Sequence, residues 1–322
     1  MNVNTILQVR DARIYYAVKG TEVKAVDGVS FEVHEGEILG IVGESGSGKS
    51  TLLNSLVNVR PPMKYIGGDA LFDGKNLYRM SKEEKKSVLG TRLTIIPQYA
   101  LDALPPVFRI KQYLADFAKT HGLSESEIIK LARERLKEVS LSEKVLDMYP
   151  IELSGGMRQR VAIVIASLTS PRLLLGDEIT SALDVVTQKG IMLNIRRFVD
   201  EGLIGSAVLV THDISLIYQV ADTIMVMYAG KVAEIAPAEE IAKKPLHPYT
   251  NMLISSLTKL GVKASQQRLS GIKGLPPSLA NPPPGCRFAP RCPYAVGRCK
   301  SEEPPAKNVD GHLVACWLRG WD

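Results

Sequence analysis

The sequence predicts an α/β protein built on a mostly parallel sheet, with an antiparallel β subdomain, a helical subdomain and a small cysteine-rich C-terminal unit. Three observations carry this prediction. First, the short apolar runs Arg172 to Gly176 (RLLLG), Ala207 to Val210 (AVLV) and Thr223 to Met227 (TIMVM) are separated by helical stretches. Strands that alternate with helices imply parallel pairing, with helices on the sheet faces. Second, the stretch from Asp27 to Val42 alternates apolar and polar residues (VSFEVHEG) and then turns continuously apolar (EILGIV). That change predicts antiparallel edge strands leading into a buried central strand. Third, all four cysteines fall between residues 286 and 316, which sets the C-terminal segment apart chemically.

The elements follow in order. GESGSGKS is a turn after the central strand, and a helix begins over Thr51 to Val57. Gly67 to Leu77 (GGDALFDGKNL) predicts a hairpin turning at Asp73-Gly74. From Lys111 to Ser140 the apolar spacing is helical, as in EIIKLARERLKEV, and the helical subdomain is expected over about residues 109–155. Beyond Leu260 the texture becomes polar and then enters NPPPG and the cysteines. A linker near residues 261–274 therefore divides residues 1–260 from 261–322.

Composition narrows the function. No apolar run approaches the roughly 18 residues of a membrane span, and Val161 to Leu168 (VAIVIASL) is far too short. The N-terminus MNVNTILQVRDAR lacks a basic start and an apolar signal core, so a cytoplasmic location is expected. The net charge of +6 is spread over 322 residues; a solvated surface accounts for it, and no nucleic-acid partner is expected.

Gly43 to Ser50 reads GESGSGKS and matches G-x-x-x-x-G-K-[ST], the phosphate loop of phosphate-loop NTPases. Glycines in such a loop let backbone N–H groups curl round a polyphosphate, and the following helix adds a favourable dipole. Gly43, Ser45, Gly46, Ser47, Gly48 and Thr51 form the cradle; Lys49 reaches the β- and γ-phosphates, and Ser50 holds Mg²⁺. Leu173 to Glu178 (LLLGDE) is an apolar strand that ends in two carboxylates. Strand ends at this sheet edge face the ligand, so Asp177 is the second magnesium residue and Glu178 the group that polarises the attacking water. Gln98, after the apolar LTIIP, is placed to monitor the metal and γ-phosphate. His212, after AVLVT, is a candidate γ-phosphate sensor.

Leu153 to Arg160 (LSGGMRQR) is a second, incomplete phosphate site. Ser154, Gly155 and Gly156 offer a hydroxyl, backbone N–H groups and a helix N-terminus, but no lysine or metal ligand. With GESGSGKST, Gln98, LLLGDE, SALD (Ser181 to Asp184) and His212 in this order, residues 5–258 resemble the nucleotide-binding subunit of an ABC transporter. The resemblance implies that two subunits pair head to tail, identical or paralogous, with ATP between the phosphate loop of one and Ser154 to Gly156 of the other. It also implies Asp184 at the nucleotide interface and an aromatic stacked on adenine, with Tyr16 the best match and Tyr15 next. Two departures stand out: Ile179 replaces the usual proline, and Tyr99-Ala100 replaces a common Asp-Pro. Neither removes a catalytic side chain, so hydrolytic competence is expected.

The tail specifies the branch. KKPLHPYTNMLISSL followed by GLPPSLANPPPGCRFAPRCPYAVGRC resembles the ATPases of oligopeptide and dipeptide importers. That resemblance implies two transmembrane permease subunits, an indirect solute-binding partner, and a peripheral site on the cytoplasmic face of the cell membrane. Oligosaccharides or nickel are alternative cargoes. A soluble ABC ATPase acting on nucleic acid and a redox-sensing ATPase are the alternative functions. Cys286, Cys292, Cys299 and Cys316 favour a metal over disulfides in a cytoplasmic chain. Their gaps do not suit the short knuckles of structural zinc. Four thiolates suit a [4Fe–4S] cluster, which the resemblance favours, with zinc as the alternative.

Overall fold

The computed structural model describes residues 4–18, 20–98, 106–181, 183–257 and 272–319. Tyr99-Ala100, Ala182 and most of the expected linker lie outside the described residues. The chain forms two compact units, each gathered from separate stretches of sequence: residues 7–32, 39–78 and 211–322 in the first, and residues 1–6, 33–38 and 79–210 in the second.

The first unit contains an antiparallel sheet of β1 (Thr5–Val18), β2 (Thr21–His34), β4 (Met63–Phe72) and β5 (Lys75–Asn76), in the order β2-β1-β4-β5. The predicted turn sits between β4 and β5, with Asp73 and Gly74 both at positive φ (47° and 78°), the pattern of a tight hairpin turn. A second set of strands runs β3 (Ile38–Val42), β9 (Thr223–Tyr228), β10 (Lys231–Pro237), β12 (His312–Val314) and β11 (Lys307–Val309). β3 and β9 are parallel, with Ile41 opposite Met225. β9/β10, β10/β12 and β11/β12 are antiparallel, so antiparallel strands are added at this edge. Part of that edge comes from the tail. Its last two short strands extend the sheet through Glu234 opposite Val314, where the sequence offered no strand pattern long enough to read. Helices α1 (Lys49–Val57), α7 (Ile214–Ile217), α8 (Ala238–Lys243), α9 (Pro248–Leu257) and α10 (Gly297–Ser301) complete this unit.

The tail is packed round an aromatic group. The Phe288 ring centroid lies 5.2 Å from that of Tyr228 and 5.4 Å from that of Tyr249, within the range of favourable aromatic pairing. Beside it, the fully buried Glu234 carboxylate accepts from the backbone N–H groups of Leu246 (2.8 Å) and His247 (3.0 Å) and pairs with His312 Nδ1 (2.6 Å). Three partners offset the cost of burying that carboxylate.

The second unit contains the parallel strands β6 (Leu93–Ile96), β7 (Leu173–Asp177) and β8 (Ala207–Val210), with β7 between the other two. Every residue of β7 and β8 is buried, which explains their unbroken apolar character. Around them lie α2 (Lys82–Val88), α3 (Ile110–His121), α4 (Glu125–Glu138), α5 (Gly155–Ser167) and α6 (Val185–Asp200). In α3 the buried residues are Ile110, Leu114 and Ala118, and in α4 Ile128, Ala132 and Leu136. That four-residue spacing is the helical stripe that the sequence predicts. Ser81, Ser124, Ser154 and Asp184 cap α2, α4, α5 and α6 through their side chains, each worth about 1 kcal/mol.

Candidate functional site

In the first unit the glycine-rich loop leaves β3 and enters α1. Gly43 (φ 152°) and Gly48 (φ 99°) take conformations that other residues rarely adopt, and a Cβ would meet Met227 O at 2.1 Å and Ala25 O at 2.0 Å respectively. Only glycine passes so close to neighbouring backbone. The buried Lys49 ammonium folds over the loop and donates to Gly43 O (2.8 Å) and Glu44 O (2.9 Å). The far side of the loop is tied by Gly230 N, which donates to Ser47 O (2.9 Å). Loop, lysine and helix start bring a helix N-terminus and one cation together, features suited to a polyphosphate. Ser50 and Thr51 occupy the first turn of α1. The Tyr16 hydroxyl lies 3.2 Å from Thr51 Oγ1. Tyr15 is buried and donates instead to Asp27 (2.7 Å); burial, and then this bond, pushes its phenol up to about 12. His212 is exposed and directly follows Thr211, whose backbone N donates to Ile41 O (3.1 Å).

In the second unit β7 delivers Asp177, 2% exposed, to its C-terminal end. Glu178 follows with φ 44°, a strained value for a side chain of this size. It is held there by its backbone N–H, which donates to Val210 O (2.9 Å). Gln98 Nε2 donates to Glu178 Oε2 (3.2 Å), so these two predicted residues meet. Ile179, the first departure, is buried as an ordinary core residue.

Ser154 caps α5 and accepts from Met157 N (3.3 Å), and its side chain stays exposed. A Cβ on Gly155 would stand 3.2 Å from Leu183, and one on Gly156 would stand 2.8 Å from Thr187. The glycine pair therefore serves a close approach to the start of α6. Asp184 caps α6, accepting from Thr187 N (3.0 Å) and Thr187 Oγ1 (2.6 Å). Those bonds hold its carboxyl below the usual carboxylate range.

The cysteine tail departs from expectation. Among the described residues no group of three or more His, Cys, Asp or Glu side chains is placed to hold a metal ion. Cys286, Cys292, Cys299 and Cys316 form no disulfide with one another. Burial pushes Cys286 up to about 11, and the nearness of Cys299 and Cys316 adds to the rise; burial raises Cys292 and Cys316 as well. Cys316 packs with Leu246 and Val314. The arrangement thus supports neither the [4Fe–4S] cluster nor zinc.

The tail holds partners of the loop that sequence reasoning missed. Arg291 forks onto the Glu44 carboxylate, Nη1 to Oε2 at 2.7 Å and Nη2 to Oε1 at 2.9 Å. The Tyr249 hydroxyl accepts from Glu44 N (2.9 Å). Arg287 pairs with Asp27 and donates to Ala229 O. The available signal was a glutamate inside the loop and two arginines among the cysteines, with no pattern to join positions 247 residues apart.

Comparison with known proteins completes the description. The family described as ABC transporter matches residues 26–181, and the oligopeptide/dipeptide transporter C-terminal region matches residues 233–299. The dipeptide transport ATP-binding protein DppD of Caldanaerobacter subterraneus is 41% identical over 321 residues, covering 98% of each chain. The oligopeptide transport ATP-binding protein OppD of Bacillus subtilis is 37% identical, covering 99% of this chain and 90% of its own. Among solved structures, a dimeric ATP-binding cassette in a post-hydrolysis state with ADP and Pi superposes with a TM-score of 0.64. It is 27% identical and covers 72% of this chain and 98% of its own.

Proposed function

The chain belongs to the ABC transporter family, with the C-terminal region of oligopeptide/dipeptide transporters, and on that premise we propose that it hydrolyses ATP to power peptide import. The observation that carries this reading is the Gly43–Ser50 loop with Lys49 folded over its carbonyls. Lys49 exchanges those carbonyls for the phosphates of ATP, and the loop N–H groups and the α1 N-terminus bind the remaining phosphate charge. Tyr16 stacks on adenine. Magnesium, when bound, supplies positive charge to the phosphate oxygens, and Ser50, Asp177 and Gln98 are the residues that would hold it. Glu178 orients the attacking water and accepts its proton, while His212 senses the γ-phosphate. Ser154, Gly155, Gly156 and Asp184 of one protomer complete the ATP site of the other, so nucleotide closes the pair and hydrolysis releases it.

Residues 1–260 act as the cassette and residues 261–322 as its importer-type extension. Among the described residues no helix is long and apolar enough to cross a membrane. On the family reading the subunit works from the cytoplasmic face on two separate permease subunits, fed by a solute-binding protein. A groove of ≈ 570 Å³ lined by Lys111, Arg133, Glu143, Lys144 and Asp147 supports docking on the helical segment.

Replacing Glu178 by Gln tests the chemistry. Hydrolysis falls by about 100-fold or more, while ATP binding is retained; turnover at the parental rate would remove Glu178 from the reaction. Reconstitution with the co-encoded permeases tests the cargo. Peptides presented by the capture protein stimulate hydrolysis; stimulation by an oligosaccharide or nickel instead would overturn the peptide reading.

A further inference from the structure

Glu44 is an oddity in an anion-binding loop. A carboxylate within a cradle meant for a triphosphate repels its ligand unless something cancels the charge. Arg291 meets both Glu44 oxygens, at 2.7 and 2.9 Å, from the segment between Cys286 and Cys292. The guanidinium side chain is itself only 6% exposed. It is fixed further by the Tyr228 hydroxyl (3.1 Å) and the carbonyls of Lys273 (3.1 Å) and Ile272 (3.3 Å). Every polar part of Glu44 is committed. Its N–H goes to Tyr249, its carboxylate to Arg291, and its carbonyl accepts from Lys49 Nζ (2.9 Å) and Ser47 N (3.1 Å).

A lysine at position 291 would keep the charge but lose the two-pronged geometry. The arrangement has two consequences for the nucleotide. It removes a negative charge from the loop, and it fixes the first turn of a glycine-rich segment that would otherwise lose entropy on binding.

We propose that Arg291 is a positioning residue for ATP, acting through Glu44: the cysteine-flanked tail sets nucleotide affinity by neutralising and bracing the first turn of the phosphate loop. This rests on the assignment of the loop to ATP.

The test uses the full chain with MgATP by titration calorimetry, followed by hydrolysis in the reconstituted importer. Arg291→Ala weakens ATP binding about 10-fold, raising KM while leaving kcat at saturating ATP within about 2-fold. Arg291→Lys gives a smaller loss. The double variant Glu44→Gln with Arg291→Ala binds no more weakly than Arg291→Ala alone, because the unpaired carboxylate is gone. Arg298→Ala, in the same tail but paired with Glu302, leaves affinity unchanged. Should Arg291→Ala fail to fold, Arg291→Lys replaces it, and amide exchange over residues 43–48 must quicken relative to the parent chain. The proposal is overturned if Arg291 variants keep parental ATP affinity and only melt at lower temperature. It is also overturned if the losses from positions 44 and 291 multiply. If the parent chain itself binds no ATP, the nucleotide assignment fails first, and this inference goes with it.

Discussion

Tyr15 and Tyr16 are chain neighbours whose hydroxyls go to different partners, and that divergence separates two roles the sequence left adjoining. Tyr15 is buried on Asp27, and Tyr16 stands half-buried beside Thr51. Base stacking contributes about 1–3 kcal/mol, so Tyr16→Ala should weaken ATP binding by about 5- to 100-fold, read by calorimetry. Tyr15→Phe should lose about 1 kcal/mol of stability with the Asp27 bond and leave ATP affinity alone; equal affinity losses at both positions would remove the distinction. At this scale the sequence allows Lys49, Asp177, Glu178 and Gln98 to be proposed, because each belongs to a local string with a chemical reason. The meeting of Gln98 with Glu178 was foreseeable only as a shared role. The strained φ of Glu178 was not foreseeable, because backbone strain leaves no mark in residue type unless the residue is glycine.

Element by element, the start of α5 is where packing and function coincide. A methyl group on Gly156 would stand 2.8 Å from Thr187, forcing the first turns of α5 and α6 apart. Gly156→Ala should therefore leave MgATP binding by the isolated chain intact. Hydrolysis in the assembled transporter should drop by about 10- to 100-fold, the cost of misplacing a group in the closed site; a fully active variant would contradict this. At α9 the issue is pH. His247 is 3% exposed, Tyr249 N donates to its Nδ1 (3.0 Å), and burial lowers its pKa from 6.5 to about 4. Above pH 6.5 the ring is neutral whether folded or unfolded. As pH falls from 6.5 to about 4 the unfolded chain takes up a proton that the folded chain refuses, so stability declines over that interval. Melting temperatures across the interval should show the decline, and His247→Asn, which can still accept from Tyr249, should flatten it. Helices α3 and α4 were legible from spacing. Strands β11 and β12 were not, since three residues are too few to show a period.

For the whole molecule, the proposed service of Ser154 to a partner's ATP site requires association when nucleotide is bound. Glu178→Gln protein, alone or mixed with a paralogous ATPase, should double in mass by light scattering when ATP is added and return with ADP; nucleotide-independent mass would refute the pairing. Sequence reasoning ran along the chain and divided it once, near residue 260. Within the structure, residues 7–32, 39–78 and 211–322 gather into one unit, because strand pairing such as Ile41 with Met225 joins remote stretches. The cysteines show the same limit. Four thiols in a short segment suggest a shared ligand, yet among the described residues no group of side chains is placed to hold a metal ion, and the packing that decides this leaves no mark in the sequence.

The contact between Glu44 and Arg291 also bears on inheritance. Two codons 247 positions apart share a single electrostatic account, so neither can drift alone. Descendants that lose the acid at position 44 should shed the base at position 291. A chimera carrying the tail of one relative on the loop of another should bind ATP poorly until both positions match.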